Sequence, residues 1–163
     1  MPWAEMPSSP TLMPAWLATS FTLSPGWATL TRIWSKQRPG MNTAKELAKA
    51  IFPAAATLEA EGIDCRVLNM ATIRPLDREA ILSAARETGA IVVAEEHLVH
   101  CGLGSMVAQA LAGEHPVPMG FVGMKDRYAE SGRWDLLMEK YGLTAEAIAA
   151  EARRLLERKA KGP

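Results

Sequence analysis

The pattern of apolar and polar positions changes character near residue 41 and is regular from there on. Residues 43 to 60 (TAKELAKAIFPAAATLEA) are rich in helix formers and predict a helix that Pro53 kinks or splits and Gly62 stops. Residues 65 to 70 (CRVLNM) predict a short strand. A helix opens at Leu76-Asp77, with Asp77 as N-cap and Ile81, Leu82 and Ala85 on one face, and ends at Gly89. Ile91-Val92-Val93-Ala94 is apolar without alternation, the signature of a strand buried on both faces. Gly102 to Gly104 turns into a helix carrying Met106, Val107, Ala110 and Leu111. Residues 117 to 122 predict a strand, and Pro116 and Pro118 put its start at a sheet edge. A helix follows around Trp134 to Tyr141. The last helix starts at the N-cap Thr144 and spaces Ala145, Ile148, Ala149, Ala152, Leu155 and Leu156 along one face. Arg153, Arg154, Arg158 and Lys159 lie toward its C-terminal end, where they suit the helix dipole.

Strands alternating with helices imply βαβ units, so the expected fold class is α/β, a mainly parallel sheet covered on both faces. Residue 41 onward supplies three clear strands. A fourth, at residues 28 to 34, has to come from the N-terminal part. That part holds four of the five tryptophans and six of the eleven prolines within residues 1 to 40. Such prolines interrupt helices and ladders alike. The expected organisation is therefore a Pro/Trp-rich lead over residues 1–40, irregular to about residue 26 and contributing one edge strand, followed by a folded domain over residues 41–163.

Length and charge narrow the functional classes. A chain of 163 residues is one domain with little left over. Lys plus Arg and Asp plus Glu are both 18, so a nucleic-acid binder resting on bulk positive charge is not expected. No apolar run reaches the length of a membrane span. The first basic residue is Arg32, so no positive region of a secretory signal precedes an apolar run. Cys65 and Cys101 are too few for a disulfide scaffold, and two reduced thiols in a cytoplasmic protein are expected.

Candidate chemistry gathers in Ala94-Glu95-Glu96-His97-Leu98-Val99-His100-Cys101-Gly102-Leu103-Gly104-Ser105. This run leaves the carboxyl end of the most apolar strand, where open α/β sheets bind ligands, and ends at a helix N-terminus. It reads either as an anion-holding loop with free N–H groups near Ser105, or as a tight turn capped by Ser105. Gly102-x-Gly104 opens a dinucleotide fingerprint, but Val107 stands at its third position and no acid ends the following strand. Glu95, Glu96, His97, His100 and Cys101 are metal-type ligands without any known zinc spacing, and a Cys101–His nucleophile pair is equally unsupported. Asp126-Arg127-Tyr128-Ala129-Glu130-Ser131-Gly132 reads as a solvated charged loop or as a binding loop.

Taken in order, these motifs resemble a known family. Glu61-Gly62-Ile63-Asp64-Cys65-Arg66-Val67-Leu68-Asn69-Met70, Thr72-Ile73-Arg74-Pro75-Leu76-Asp77, Thr88-Gly89-Ala90, Val93-Ala94-Glu95-Glu96-His97 and Gly102-Leu103-Gly104-Ser105 resemble the C-terminal domain of transketolase-type thiamine-diphosphate enzymes. Asp126-Arg127-Tyr128, Glu130-Ser131-Gly132 and Glu139-Lys140-Tyr141-Gly142-Leu143-Thr144 resemble that domain's ending. The flavour is that of split, two-subunit transketolases, and the same domain occurs in deoxyxylulose-phosphate synthase and the pyruvate dehydrogenase beta subunit.

The resemblance covers about residues 54 to 158 and implies a three-layer α/β/α domain with a mostly parallel sheet of four to five strands. Upstream of it, residues 27 to 39 lack the strand with which the family opens. The resemblance further implies that thiamine diphosphate and magnesium are held in the intact assembly by a pyrimidine-binding and a diphosphate-binding domain. Those are the expected partners, in a homo- or hetero-oligomer, without nucleic acid or membrane. This chain is too short for either and is expected to carry no catalytic, cofactor-binding or metal-binding residue. Ketol transfer between sugar phosphates is expected only of the assembly. Subunit packing and the mouth of the substrate cleft, at Glu95, Glu96, His97, Gly102, Gly104 and Ser105, are this domain's expected share. The alternative is a non-catalytic dimerisation or docking module, or a remnant of another thiamine-diphosphate enzyme of the deoxyxylulose-phosphate synthase or pyruvate dehydrogenase beta type.

Overall fold

The computed structural model describes residues 28–33, 43–70 and 72–161. The expected irregular lead to about residue 26 lies outside the described residues. Four strands, β1 (Ala28–Ile33), β2 (Cys65–Met70), β3 (Ile91–Leu98) and β4 (Met119–Met124), form one sheet in the order β2-β1-β3-β4. Every neighbouring pair is parallel. The helices are α1 (Thr43–Ala60), α2 (Arg78–Thr88), α3 (Leu103–Ala112), α4 (Trp134–Lys140) and α5 (Ala145–Ala160).

Alternation along the strands sends side chains to two cores. Val92 and Ala94 join Leu47, Ile51, Ala54 and Leu58 of α1 and Ile148, Ala149, Ala152 and Leu155 of α5. Ile91 and Val93 join Ile81, Leu82 and Ala85 of α2 and Leu103, Val107 and Leu111 of α3. Helices thus cover both faces, giving the expected three-layer α/β/α architecture. Ile91, Val92 and Val93 are fully buried. Val67 and Leu68, on the end strand β2, are only half-buried.

The local caps match the sequence pattern. Asp77 accepts a hydrogen bond from the Ala80 N–H at 3.0 Å, and Gly89 closes α2 in the left-handed region at φ 63°. Thr144 caps α5 through the Ala147 N–H at 3.2 Å. β4 is an end strand among the described strands, as Pro116 and Pro118 suggest.

Four expectations are corrected. First, the strand expected at residues 28 to 34 forms, but it is not an edge: β1 lies between β2 and β3. Three of its six residues, Thr29, Thr31 and Ile33, are of the β-branched type enriched in strands. Second, of the kink or split expected at Pro53, the split does not occur: α1 runs through Pro53 as one helix. An interior proline costs about 3 kcal/mol, but Pro53 is exposed and Leu47, Ile51, Ala54 and Leu58 all bury on the opposite face. Each large aliphatic side chain buried contributes about 1.5–3 kcal/mol, so the burial outweighs the lost hydrogen bond. Third, β3 runs on to Leu98, because Leu98 pairs with Met124 and the Val99 N–H reaches the Met124 carbonyl at 2.9 Å. Fourth, β4 starts at Met119 rather than residue 117 and continues to Met124.

Candidate functional site

At the carboxyl edge of the sheet the β3–β4 ladder is interrupted. Ala94 pairs with Val122 and Leu98 with Met124, so Glu95, Glu96 and His97 stand opposite Gly123 alone. Such bulges re-aim side chains, and they occur often beside functional sites. Glu95 continues the alternation of Ile91 and Val93 and turns inward, only 1% exposed. Its Oε2 accepts the Leu103 N–H at 2.8 Å and its Oε1 accepts the Gly104 N–H at 3.0 Å. Those are two of the N–H groups that the first turn of α3 leaves without a helical partner. A carboxylate there is favoured by the helix dipole and by charge-assisted hydrogen bonds.

Both readings of the 94–105 run are thereby corrected. The N–H groups that could hold an external anion already hold Glu95, and Ser105 is not the cap. Ser105 instead accepts the Cys101 N–H at 3.0 Å, which steadies Cys101 in the left-handed region at φ 70°. Gly102 and Gly104 are glycines for steric reasons. A Cβ at Gly102 would sit 2.0 Å from the Glu95 Oε2, and one at Gly104 would sit 2.7 Å from the Phe121 ring.

The exposed rim is built above this buried frame. His97 is exposed, and its Nδ1 lies 3.1 Å from the Leu98 carbonyl oxygen. A carbonyl only accepts, so Nδ1 carries the proton in that contact and the neutral ring leaves Nε2 as an acceptor. Glu96 is half-buried. His100 Nε2 lies 3.6 Å from the Asp126 carboxylate, joining the loop after β3 to the loop after β4. Both partners are largely exposed, and such pairs contribute about 0–1 kcal/mol. Next to Asp126, Arg127 stacks over the Tyr141 ring at 5.9 Å, while Tyr128 is 99% exposed. The structure therefore brings together Glu95, Gly102 and Gly104 as a buried frame, with half-buried Ser105 at its margin and His97 beside them on the surface. Phe121 and Gly123 complete the neighbourhood and had no signal in the sequence, because both reach it through β4, while Asp126 comes from the charged loop that follows β4.

Among the described residues no three His, Cys, Asp or Glu groups converge on a point. A diphosphate cofactor is not cradled by the first turn of α3, where Glu95 occupies the two N–H groups. No described helix is long and apolar enough to cross a membrane. Cys65 opens β2 and Cys101 follows the end of β3, so they lie at opposite edges of the parallel sheet. Burial, followed by the charges of Asp64 and Glu59, pushes the Cys65 thiol up to about 11 from its ordinary 9.0. Its thiolate is thus favoured in the unfolded chain, and the stability this group contributes holds below about pH 9 and declines as pH rises toward 11. Iodoacetamide at pH 8 is expected to alkylate exposed Cys101 at least about tenfold faster than Cys65, read by peptide mass spectrometry. Equal rates would contradict the burial of Cys65.

A parallel sheet covered by helices on both faces, with a glycine-bearing strand-to-helix turn at its carboxyl edge, defines the class of open three-layer α/β/α domains. The profile described as the C-terminal domain of transketolase matches residues 43–148, and the chain belongs to that family. It is 46% identical over 118 residues to the 6-deoxy-6-sulfo-D-fructose transketolase subunit of Clostridium sp. (strain MSTE9), covering 69% of this chain and 37% of that protein. It is 45% identical over 107 residues to 1-deoxy-D-xylulose-5-phosphate synthase 2 of Geobacter sulfurreducens, covering 64% of this chain and 17% of that one. Among solved structures it is similar to a split-gene transketolase described as an inactive beta4 tetramer, with a TM-score of 0.67 and 43% identity. That match covers 82% of this chain and 40% of the other. The chain thus spans well under half the length of these relatives.

Proposed function

We propose that the chain is the C-terminal section of a transketolase-like enzyme that moves two-carbon ketol units between sugar phosphates once the remaining domains or subunits are in place. The observation that carries this reading is the family match together with its partial span: the chain covers 37% of a transketolase subunit and 40% of a split-gene transketolase. Pyrimidine-binding and diphosphate-binding domains or subunits are its proposed partners. Thiamine diphosphate, with magnesium, supplies the carbanion chemistry there, and no step of it is assigned to this chain. The assembly is a homo- or hetero-oligomer of dimeric type, cytoplasmic, acting in pentose-phosphate carbohydrate metabolism.

Within the assembly the domain contributes subunit packing and the mouth of the substrate cleft. Glu96 and His97 face the cleft, and Glu95, Gly102, Gly104 and Ser105 hold the backbone beneath them. The His97 Nε2 accepts from a sugar hydroxyl when the ring is neutral and donates to a phosphate oxygen when it is protonated. A second reading, a section of a deoxyxylulose-phosphate synthase-type enzyme, is favoured by the 45% identity to one such protein. A pyruvate dehydrogenase beta-type remnant and a non-catalytic dimerisation or docking module are the further alternatives.

The purified chain, given thiamine diphosphate and magnesium, is expected to show no ketol transfer, and activity is expected on adding its partner subunits. Turnover by the pure chain would overturn the reading, and a complex without turnover would favour the docking module. In the active complex His97→Ala is expected to lower kcat/KM about tenfold, the effect of losing one positioning contact of about 1–1.5 kcal/mol. Unchanged kcat/KM would remove His97 from the cleft.

A further inference from the structure

We infer that Glu95 is a positioning residue, whose buried carboxylate anchors the end of β3 to the first turn of α3 and so sets the direction in which His97 points. The inference deepens the proposed cleft-mouth function and rests on it for the activity readout.

Three observations carry it. First, the ladder that would normally fix a strand is missing where it is needed. Between Ala94↔Val122 and Leu98↔Met124, the segment Glu95-Glu96-His97 has only Gly123 opposite it. Second, Glu95 provides a different attachment for that segment. Its two oxygens take the Leu103 and Gly104 N–H groups at 2.8 and 3.0 Å, on another element. Residue 95 and residue 97 are two apart, so a torsional change at the first carries directly to the second. Third, the surroundings are shaped to the carboxylate. Gly102 has no room for a Cβ, which would meet Oε2 at 2.0 Å, and a Cβ at Gly104 would meet Oε1 at 3.2 Å. Gly123 likewise runs close under the bulge, where a Cβ would be 3.0 Å from the His97 carbonyl and 3.2 Å from that of Glu95. The turn is thus built around an internal anion that occupies the helix N-terminus.

The test uses the full chain and then the assembly with its partner subunits. Glu95→Gln keeps the volume but turns an NH2 group toward a backbone N–H, so one of the two hydrogen bonds is lost. In the labelled full chain this variant is expected to raise hydrogen exchange at the Leu103 and Gly104 amides at least about tenfold and to move the His97 ring resonances, with the amides of α5 unchanged. In Glu95→Ala, formate is expected to enter the vacated site and return those resonances toward their original positions. In the assembly, assayed with a ketose phosphate donor and an aldose phosphate acceptor, Glu95→Gln is expected to lower kcat/KM about as much as His97→Ala, and the double variant no further. Unmoved His97 resonances in Glu95→Gln would overturn the inference, and so would losses that multiply in the double variant. If His97→Ala leaves kcat/KM unchanged, the cleft reading fails, while the resonances still decide whether Glu95 holds His97. If Glu95→Gln loses its cooperative melt, Gly102→Ala replaces it, since its Cβ presses on the carboxylate without removing it.

Discussion

A chain truncated to begin at Met41 is expected to lose cooperative unfolding altogether. Such a chain lacks β1, which is the strand between β2 and β3. All six residues of β1 pair with β2, and four of them pair with β3 as well. Without it, β2 loses its only strand partner among the described residues, and β3 keeps only β4. The sheet would expose unpaired N–H and C=O groups along two new edges, one of them beside the fully buried run Ile91-Val92-Val93. Those losses are spread through the centre of a domain whose net stability is on the order of 5–15 kcal/mol. The control is a chain starting at Trp27, which retains β1. Thermal melts of the two followed by circular dichroism decide the matter. A sharp melt from the Met41 chain, close to that of the Trp27 chain, would mean that β1 is dispensable.

Val92→Asp is expected to abolish folding or nearly so. Val92 is fully buried and faces the cluster formed by α1 and α5, where Ile51, Leu58, Ile148 and Leu155 offer no hydrogen-bond partner or counter-charge. An unpaired charge in such a place costs several kcal/mol, about 3–5, a large share of the stability of a single domain. By contrast, Tyr128→Asp, at a side chain 99% exposed, is expected to stay within about 0.5 kcal/mol of the original. Urea titration of both variants measures the contrast. A Val92→Asp protein that unfolds cooperatively near the original midpoint would contradict the packing of β3.

Much of this molecule was legible before any coordinates. The α2 cap at Asp77, its left-handed stop at Gly89, the α5 cap at Thr144 and the buried run at Ile91-Val92-Val93 all follow from interactions within about one turn or one strand, which a linear pattern records. The order of several such motifs was also enough to point to the family that the profile over residues 43–148 then matched. The candidate run from Glu95 to Ser105 was visible for the same reason: it joins a strand end to a helix start. What the tertiary structure decided are pairings between residues far apart in the chain. The interior position of β1 depends on partners in β2 and β3, and nothing in Ala28-Thr29-Leu30-Thr31-Arg32-Ile33 by itself distinguishes an edge from a centre. The continuity of α1 through Pro53 depends on a core supplied largely by α5 and β3. Glu95 is the clearest case, because its spacing to Gly102 is as compatible with a surface acid as with an internal cap. Only the fold brings its carboxylate onto the N–H groups of Leu103 and Gly104, where burying a charge is possible because both of its oxygens are hydrogen-bonded.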